Sequence, residues 1–86
     1  MDNIKILFDA AVSEVESLRD RPSNETLLML YSLFKQGTEG DNTKEAPENP
    51  FDFVAKAKYE AWAALKGKST DQAMQEYIEL VEKLKS

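Results

Sequence analysis

The chain has 86 residues, which suffices for one domain with a small hydrophobic core, and we expect residues 1–86 to form that single domain. Its net charge of −5 argues against a nucleic-acid-binding protein, because such proteins need a basic surface. The sequence contains neither cysteine nor histidine, which excludes a disulfide framework, a thiolate nucleophile and the commonest metal ligand. We therefore expect no metal site, no cofactor and no catalytic residues.

The N-terminal stretch MDNIKILFDAAVSEVE has acidic residues within its apolar part, so we do not expect a signal peptide. No apolar run approaches the ~20 residues that a membrane-spanning helix needs. The sequence therefore predicts no stable membrane insertion. The lack of cysteine is compatible with a reducing, cytoplasmic location.

Two amphipathic helices are predicted in the first half of the chain, because apolar residues recur there every three or four positions. Asp2 or Asn3 can cap the first helix, which ends before Pro22. Ser23 is the predicted N-cap of the second helix, which ends near Gly37. The two apolar stripes comprise Ile4, Leu7, Phe8, Ala11, Val15 and Leu18, followed by Leu27, Leu30, Tyr31 and Phe34.

A long ordered loop is predicted at residues 37–50, which contain two glycines and two prolines; loops of this length are often functional in small domains. The third helix is predicted to start near Pro50 with Asn49 as its cap, and to stop at Gly67. The sequence STDQ at 69–72 matches a capping box for the fourth helix. The two stripes comprise Phe51, Ala55, Tyr59, Trp62 and Leu65, then Ala73, Tyr77, Leu80, Val81 and Leu84.

The absence of any strand pattern makes an all-α four-helix bundle the predicted fold. On that fold, Tyr31 and Lys35 share one helix face, and Lys58 lies four residues before Trp62. If these faces and Tyr77 converge, their ammonium and phenol groups would suit a phosphate, and the rings could stack on a base. The alternative is that the tyrosines belong to the core and the lysines extend along it to solvent. The spacing alone leaves both interpretations open.

Four stretches of the chain resemble one protein family. Residues 31–41, YSLFKQGTEGD, resemble the Y-x-x-[YF]-K-Q-A-T-x-G-D signature of acyl-CoA-binding proteins. Pro47 and residues 52–67 resemble that family's P…DF…KAKWDAW…LKG. Residues 8–22 resemble its first helix and residues 69–84 its last. The matches cover nearly the whole chain in the right order.

This resemblance implies an up-down-down-up four-helix bundle that binds medium- to long-chain fatty acyl-CoA esters. Such a protein would be a monomeric intracellular carrier and pool former, not an enzyme. In the family, two tyrosines and two lysines hold the 3′-phosphate and adenine, and the matching positions here are Tyr31, Lys35, Lys58 and Tyr77. Ala11 or Val12 would lie close to the adenine, and Phe34 takes the signature's second aromatic position. The family's acyl chain lies between helices two and three, which makes Leu28, Met29, Phe53 and Tyr59 candidate neighbours.

Several positions depart from the family pattern. Glu16 stands where many members have lysine, and Ala46 replaces a usual arginine, so both changes remove positive charge. Val54 replaces a basic or polar residue, Tyr59 replaces a tryptophan, and Gly37 replaces an alanine. The loss of charge keeps open an alternative function, a helical protein-interaction module of the same fold with weakened ligand binding.

Overall fold

The structure is a computed structural model that describes residues 3–85. Within that range the chain forms helices joined by turns and loops, and none of these helices is long and apolar enough to cross a membrane. In chain order the helices are α1 (Asn3–Val15), α2 (Asn24–Glu39), α3 (Phe53–Ala63) and α4 (Thr70–Lys85).

Two predicted N-caps are confirmed. The hydroxyl oxygen of Ser23 accepts a hydrogen bond from the backbone N–H of Thr26 at 3.1 Å, at the start of α2. The hydroxyl oxygen of Ser69 accepts a hydrogen bond from the backbone N–H of Gln72 at 3.0 Å, at the start of α4. The side-chain amide of Gln72 donates to Glu76 instead of pairing with Ser69, so only the serine half of the predicted capping box forms. Each serine therefore satisfies an N–H group that the first helical turn leaves without a partner.

The first helix is shorter than predicted. It ends at Val15, and the chain continues in tighter turns, in which the N–H of Glu16 donates to the carbonyl of Ser13 at 3.2 Å. Leu18 therefore lies beyond the helix and not on its stripe. Of the two predicted caps, Asp2 lies outside the described residues, and Asn3 is the first residue of the helix.

The predicted start of the third helix is wrong by three residues. Asp52, not Asn49, is the N-cap, because its carboxylate accepts from the N–H of Ala55 at 3.0 Å. The side chain of Asn49 accepts instead from the N–H of Phe51 at 2.9 Å. Asn49 thus stabilises a local turn, a role that competes with helix capping.

Both predicted helix ends at glycine are also displaced. α2 passes through Gly37 and ends at Glu39, and the following Gly40 has a φ of 81°. α3 ends at Ala63, and turns lead from there to Gly67, which has a φ of 92°. Positive φ is the conformation that only glycine adopts without strain, so Gly40, not Gly37, terminates α2.

Gly37 instead allows two helices to approach closely. It is buried, and a Cβ atom at this position would lie 3.2 Å from Cγ of Met74 in α4. α4 packs on both α1 and α2, while α3 packs on α2. The main core therefore forms around α4, and its buried residues are Phe8, Ala11, Leu30, Leu33, Ala73, Tyr77 and Val81.

Contacts between α2 and α3 show that these helices run in the same direction. The ammonium of Lys58 lies 5.3 Å from the ring centroid of Tyr31. Four residues further along each helix, the ammonium of Lys35 lies 5.1 Å from the ring centroid of Trp62. A parallel pair of helices needs a long connection, which the loop between Glu39 and Phe53 supplies.

The other helix directions follow from two further pairs. The rings of Phe8 and Tyr77 meet edge to face with centroids 5.1 Å apart, and Glu14 lies 3.1 Å from Lys85. α1 and α4 are therefore parallel to each other. Because the end of α2 lies against the start of α4, these two run in opposite directions. The predicted up-down-down-up topology is confirmed.

The first residues of the α2–α3 loop are fixed to α3. The indole N–H of Trp62 donates to the carbonyl of Gly40 at 2.8 Å, and the side-chain amide of Asn42 donates to the carbonyl of Tyr59 at 3.3 Å. These bonds hold the start of the loop beside the C-terminal half of α3.

Asp41 links this loop to the turn before α4. One of its carboxylate oxygens accepts from the backbone N–H of Gly67 and from the side-chain amide of Gln36, both at 2.9 Å. Gln36 is completely buried and also donates to the carbonyl of Lys68 at 2.7 Å. The hydrogen bond from Gly67, followed by that from Gln36, lowers the pKa of Asp41 below its ordinary value of 3.8.

We expect Asp41 to make the fold sensitive to acid. Because folding lowers its pKa, its contribution is fully present above the ordinary value and is lost as the pH falls through the folded value. Urea unfolding at pH 7 and at about pH 3 should show a larger loss of stability for the wild type than for Asp41→Asn. The asparagine keeps an acceptor oxygen but does not titrate. Equal losses in the two proteins would contradict this role.

Candidate functional site

An apolar groove of about 640 Å³ lies between α2 and α3. α2 contributes Leu27, Leu28 and Tyr31 to its wall. The volume falls within the ~300–1,000 Å³ that is usual for small-molecule sites. The other lining residues are Arg21 and Asn24 near the start of α2, and Phe53, Val54, Ala57 and Lys58 on α3.

The structure places only part of the predicted acyl-chain set in this groove. Leu28 and Phe53, two of the four residues expected near the acyl chain, line it. Met29 is 53% exposed and lies outside the groove lining, because one residue advances ~100° around a helix and turns away from Leu28. Tyr59 lines a neighbouring pocket instead. A role for any of these residues in holding an acyl chain stays a prediction.

The neighbouring pocket, of about 210 Å³, combines cations with aromatic rings. We call it the head-group pocket after Tyr31 and Lys58, two lining residues that the family resemblance predicts to contact a head group. It shares Tyr31 and Lys58 with the groove, so the two spaces are adjacent. An ammonium group held above an aromatic ring is attracted by the ring's quadrupole and can still receive an anion. The pocket is lined by Tyr31, Asn42, Lys44, Glu45, Ala55, Lys58, Tyr59 and Trp62.

Lys35 lies next to a lining residue of this pocket, because its ammonium is 5.1 Å from the ring centroid of Trp62. Its ammonium also donates to a carboxylate oxygen of Glu39, one helical turn later, at 2.6 Å. The hydrogen bond to Glu39 raises the pKa of Lys35 and lowers the pKa of Glu39. Lys35 is therefore charged at neutral pH, with a carboxylate as its partner.

The remaining predicted head-group residues gather around Phe8 in the core. The ring of Phe34 stacks on that of Phe8 with centroids 6.0 Å apart, and Tyr77 meets Phe8 edge-on. Ala11 is buried in the same cluster, and Val12 packs against it. Tyr77 is only 4% exposed, and this burial raises the pKa of its phenol.

The predicted site residues thus form two groups. Tyr31, Lys35 and Lys58 meet at the interface of α2 and α3, whereas Tyr77 and its neighbours pack between α1, α2 and α4. Phe34 precedes Lys35 on α2, so this helix borders both groups. The role of each residue in ligand binding remains a prediction.

Sequence reasoning missed several residues of the two cavities. On α3, Val54 lies one helical turn before Lys58, and Ala57 lies one turn after Phe53. Helical spacing could therefore have identified both. Lys44 and Asn42 belong to the loop and have no periodicity. Their position depends on hydrogen bonds to α3, which the local sequence does not encode.

Comparison with known proteins gives a consistent result. The sequence profile of a family described as "Acyl CoA binding protein" matches residues 5–81. "Acyl-CoA-binding protein homolog 1" of Caenorhabditis elegans is 51% identical over 77 residues, which cover 90% of this chain and 88% of the relative.

Two crystal structures have the same fold as this chain. Acyl-CoA-binding protein 2 of Oryza sativa superposes with a TM-score of 0.88 at 37% identity, over 94% of this chain and 89% of that one. The acyl-CoA-binding protein from Moniliophthora perniciosa superposes with a TM-score of 0.86 at 38% identity, over 98% of this chain and 80% of that one.

Proposed function

Because the chain belongs to the acyl-CoA-binding protein family, we propose that it binds medium- to long-chain fatty acyl-CoA esters and carries them in the cytoplasm. The observation that supports this most directly is an apolar groove adjoining a cationic, aromatic pocket. An acyl-CoA ester has two matching parts, an apolar chain and an anionic nucleotide, which pantetheine links.

The apolar chain should provide most of the binding free energy. Each methylene removed from water contributes about 0.8 kcal/mol, so the roughly fourteen methylenes of a palmitoyl chain give on the order of 11 kcal/mol when fully buried. Association costs reduce this value. Each charge-assisted contact to phosphate adds about 1.5–3 kcal/mol. Chain length then dominates affinity, while the lysines favour CoA esters over free fatty acids.

In this proposal, Tyr31, Lys35 and Lys58 hold the 3′-phosphate and the adenine, together with Tyr77. Leu28 and Phe53 contact the acyl chain in the groove. The protein acts as a monomer and catalyses no reaction, because it sequesters the ester without breaking the thioester bond. An assay for thioester hydrolysis should therefore show no activity above the uncatalysed rate.

Isothermal titration calorimetry with palmitoyl-CoA, CoA and palmitate tests this proposal. We expect palmitoyl-CoA to bind at least about 100-fold more tightly than either fragment, because it alone fills both cavities. Equal affinities for palmitate and palmitoyl-CoA would rule out a head-group site. Equal affinities for CoA and palmitoyl-CoA would rule out the groove as the acyl site.

A protein-interaction module of the same fold is the weaker alternative. Glu16 and Ala46 do lower the positive charge, but Lys58 lines the head-group pocket and Lys35 lies over the ring of Trp62, which also lines it. A module that had lost ligand binding would have no need for ammonium groups above aromatic rings beside an apolar groove. Tight binding of palmitoyl-CoA would exclude this alternative.

A further inference from the structure

Glu39, in the last turn of α2, contacts two lysines at the head-group pocket. Its Oε2 lies 2.6 Å from Nζ of Lys35, and its Oε1 lies 3.9 Å from Nζ of Lys44. Each carboxylate oxygen thus faces a different ammonium. Both ammonium groups also lie over the ring of Trp62, at 5.1 and 5.7 Å from its centroid.

Lys44 places a third cation beside the predicted head-group residues. It lines the same pocket as Tyr31 and Lys58, although no family motif marks its position. Two residues further along the loop is Ala46, where the family pattern has arginine. The chain therefore keeps a positive charge in this part of the loop at a different position.

The start of the loop is fixed, so the position of Lys44 is not arbitrary. The side chain of Asn42 donates to the carbonyl of Tyr59 on α3 and accepts from the backbone N–H of Lys44 at 2.9 Å. The backbone of Lys44 is thereby tied to the wall of the pocket. Its side chain is 63% exposed, which leaves the ammonium accessible to a ligand.

We propose that Lys44 is a further binding residue for the 3′-phosphate of the CoA head group, and that Glu39 competes with this phosphate for Lys35 and Lys44. The proposal rests on the proposed function, because it concerns the same ligand. In the free protein the Glu39 carboxylate neutralises part of the charge of the two lysines. A phosphate has more charge and more acceptor oxygens than a carboxylate, so it replaces Glu39 as their partner.

Glu39 should reduce affinity even after it is displaced. It remains attached to α2 one turn from Lys35, and its negative charge then lies close to that of the bound phosphate. The pocket also contains the carboxylate of Glu45, so Glu39 is not the sole acidic side chain in this region. Glu39 differs in its direct contact with both lysines.

Calorimetric titration of four variants with palmitoyl-CoA tests the proposal. Glu39→Gln should lower the Kd by about 3- to 10-fold, and Lys44→Ala should raise it by a similar factor. Glu48→Gln and Lys56→Ala make the same charge changes at exposed residues outside both cavities. These controls should change the Kd by less than about 2-fold, because exposed charges that do not contact the ligand are screened by water and salt.

Titration with palmitoyl-3′-dephospho-CoA tests whether the 3′-phosphate is the group that Lys44 and Glu39 affect. Glu39→Gln and Lys44→Ala should each bind this ester within about 2-fold of the wild type, because the ester lacks the 3′-phosphate on which both residues are proposed to act. Effects of unchanged size on the dephospho ester would contradict a contact with the 3′-phosphate.

The outcomes separate this inference from the proposed function. A wild type that fails to bind palmitoyl-CoA overturns both. A wild type that binds tightly, with Glu39→Gln and Lys44→Ala no different from their controls, overturns this inference alone. If Glu39→Gln bound palmitoyl-CoA more weakly than the wild type, Glu39 would position Lys35 for the ligand, which is the opposite of competition.

Discussion

Replacing Trp62 by alanine should lower the free energy of unfolding by about 3–5 kcal/mol, the largest effect that we expect from a single substitution in this chain. The indole is only 3% exposed, and its N–H donates to the carbonyl of Gly40 at 2.8 Å. Alanine would leave a cavity at the α2–α3 interface and a carbonyl without its partner. The total free energy of unfolding of a native protein is about 5–15 kcal/mol, so this loss is a large share of it.

Urea unfolding followed by far-ultraviolet circular dichroism measures this loss. Tryptophan fluorescence is unsuitable, because Trp62 is the one tryptophan of the chain. Trp62→Phe is the matched control, since it keeps an aromatic ring but removes the hydrogen bond, and it should cost about 1 kcal/mol for that bond plus a smaller packing term. A loss below about 1 kcal/mol for Trp62→Ala would contradict a core role for the indole.

Lys58→Ala should weaken the binding of palmitoyl-CoA by about 10- to 100-fold, the equivalent of one strong charged contact. Lys58 borders both cavities, and its ammonium lies 5.3 Å from the ring centroid of Tyr31. It therefore lies at the boundary of the two cavities. The side chain is exposed, so its removal should leave the thermal unfolding midpoint nearly unchanged.

Lys56→Ala provides the control for Lys58, because it removes the same charge from the same helix. Lys56 is exposed and lines neither cavity. The control should bind palmitoyl-CoA within about 2-fold of the wild type. If Lys58→Ala and Lys56→Ala gave the same Kd, Lys58 would be an ordinary surface lysine.

The helices were largely predictable because local signals specify them. Ser23 and Ser69 cap their helices as their sequence context predicts. The start of α3 was not predictable, because Asn49 and Asp52 are both good capping residues three positions apart. The structure assigns the cap to Asp52, and Asn49 forms a turn instead. The local sequence therefore allowed either residue as the N-cap, and only the packed chain distinguishes them.

The candidate site was predictable only in part where it lies on helices, because Tyr77 and Met29 line neither cavity. Tyr31 and Lys58 were identified from the family resemblance, and the structure brings them together. Lys44 and Glu39 were not identified. Lys44 belongs to a loop whose path depends on bonds to α3, and the contact between Glu39 and Lys44 requires that path. Helical spacing could have paired Glu39 with Lys35, four residues earlier, but it contains no information about the path of the loop that carries Lys44.

The bonds at the two ends of the α2–α3 loop have a consequence for how such chains vary. Gly40 and Asn42 attach one end to α3, and Asp52 starts α3 at the other. Residues inserted or deleted between Lys44 and Asn49 would lengthen or shorten a solvent-facing segment without moving either attachment, at little entropic cost. A chain of this fold can therefore change its loop length at this point and keep both cavities.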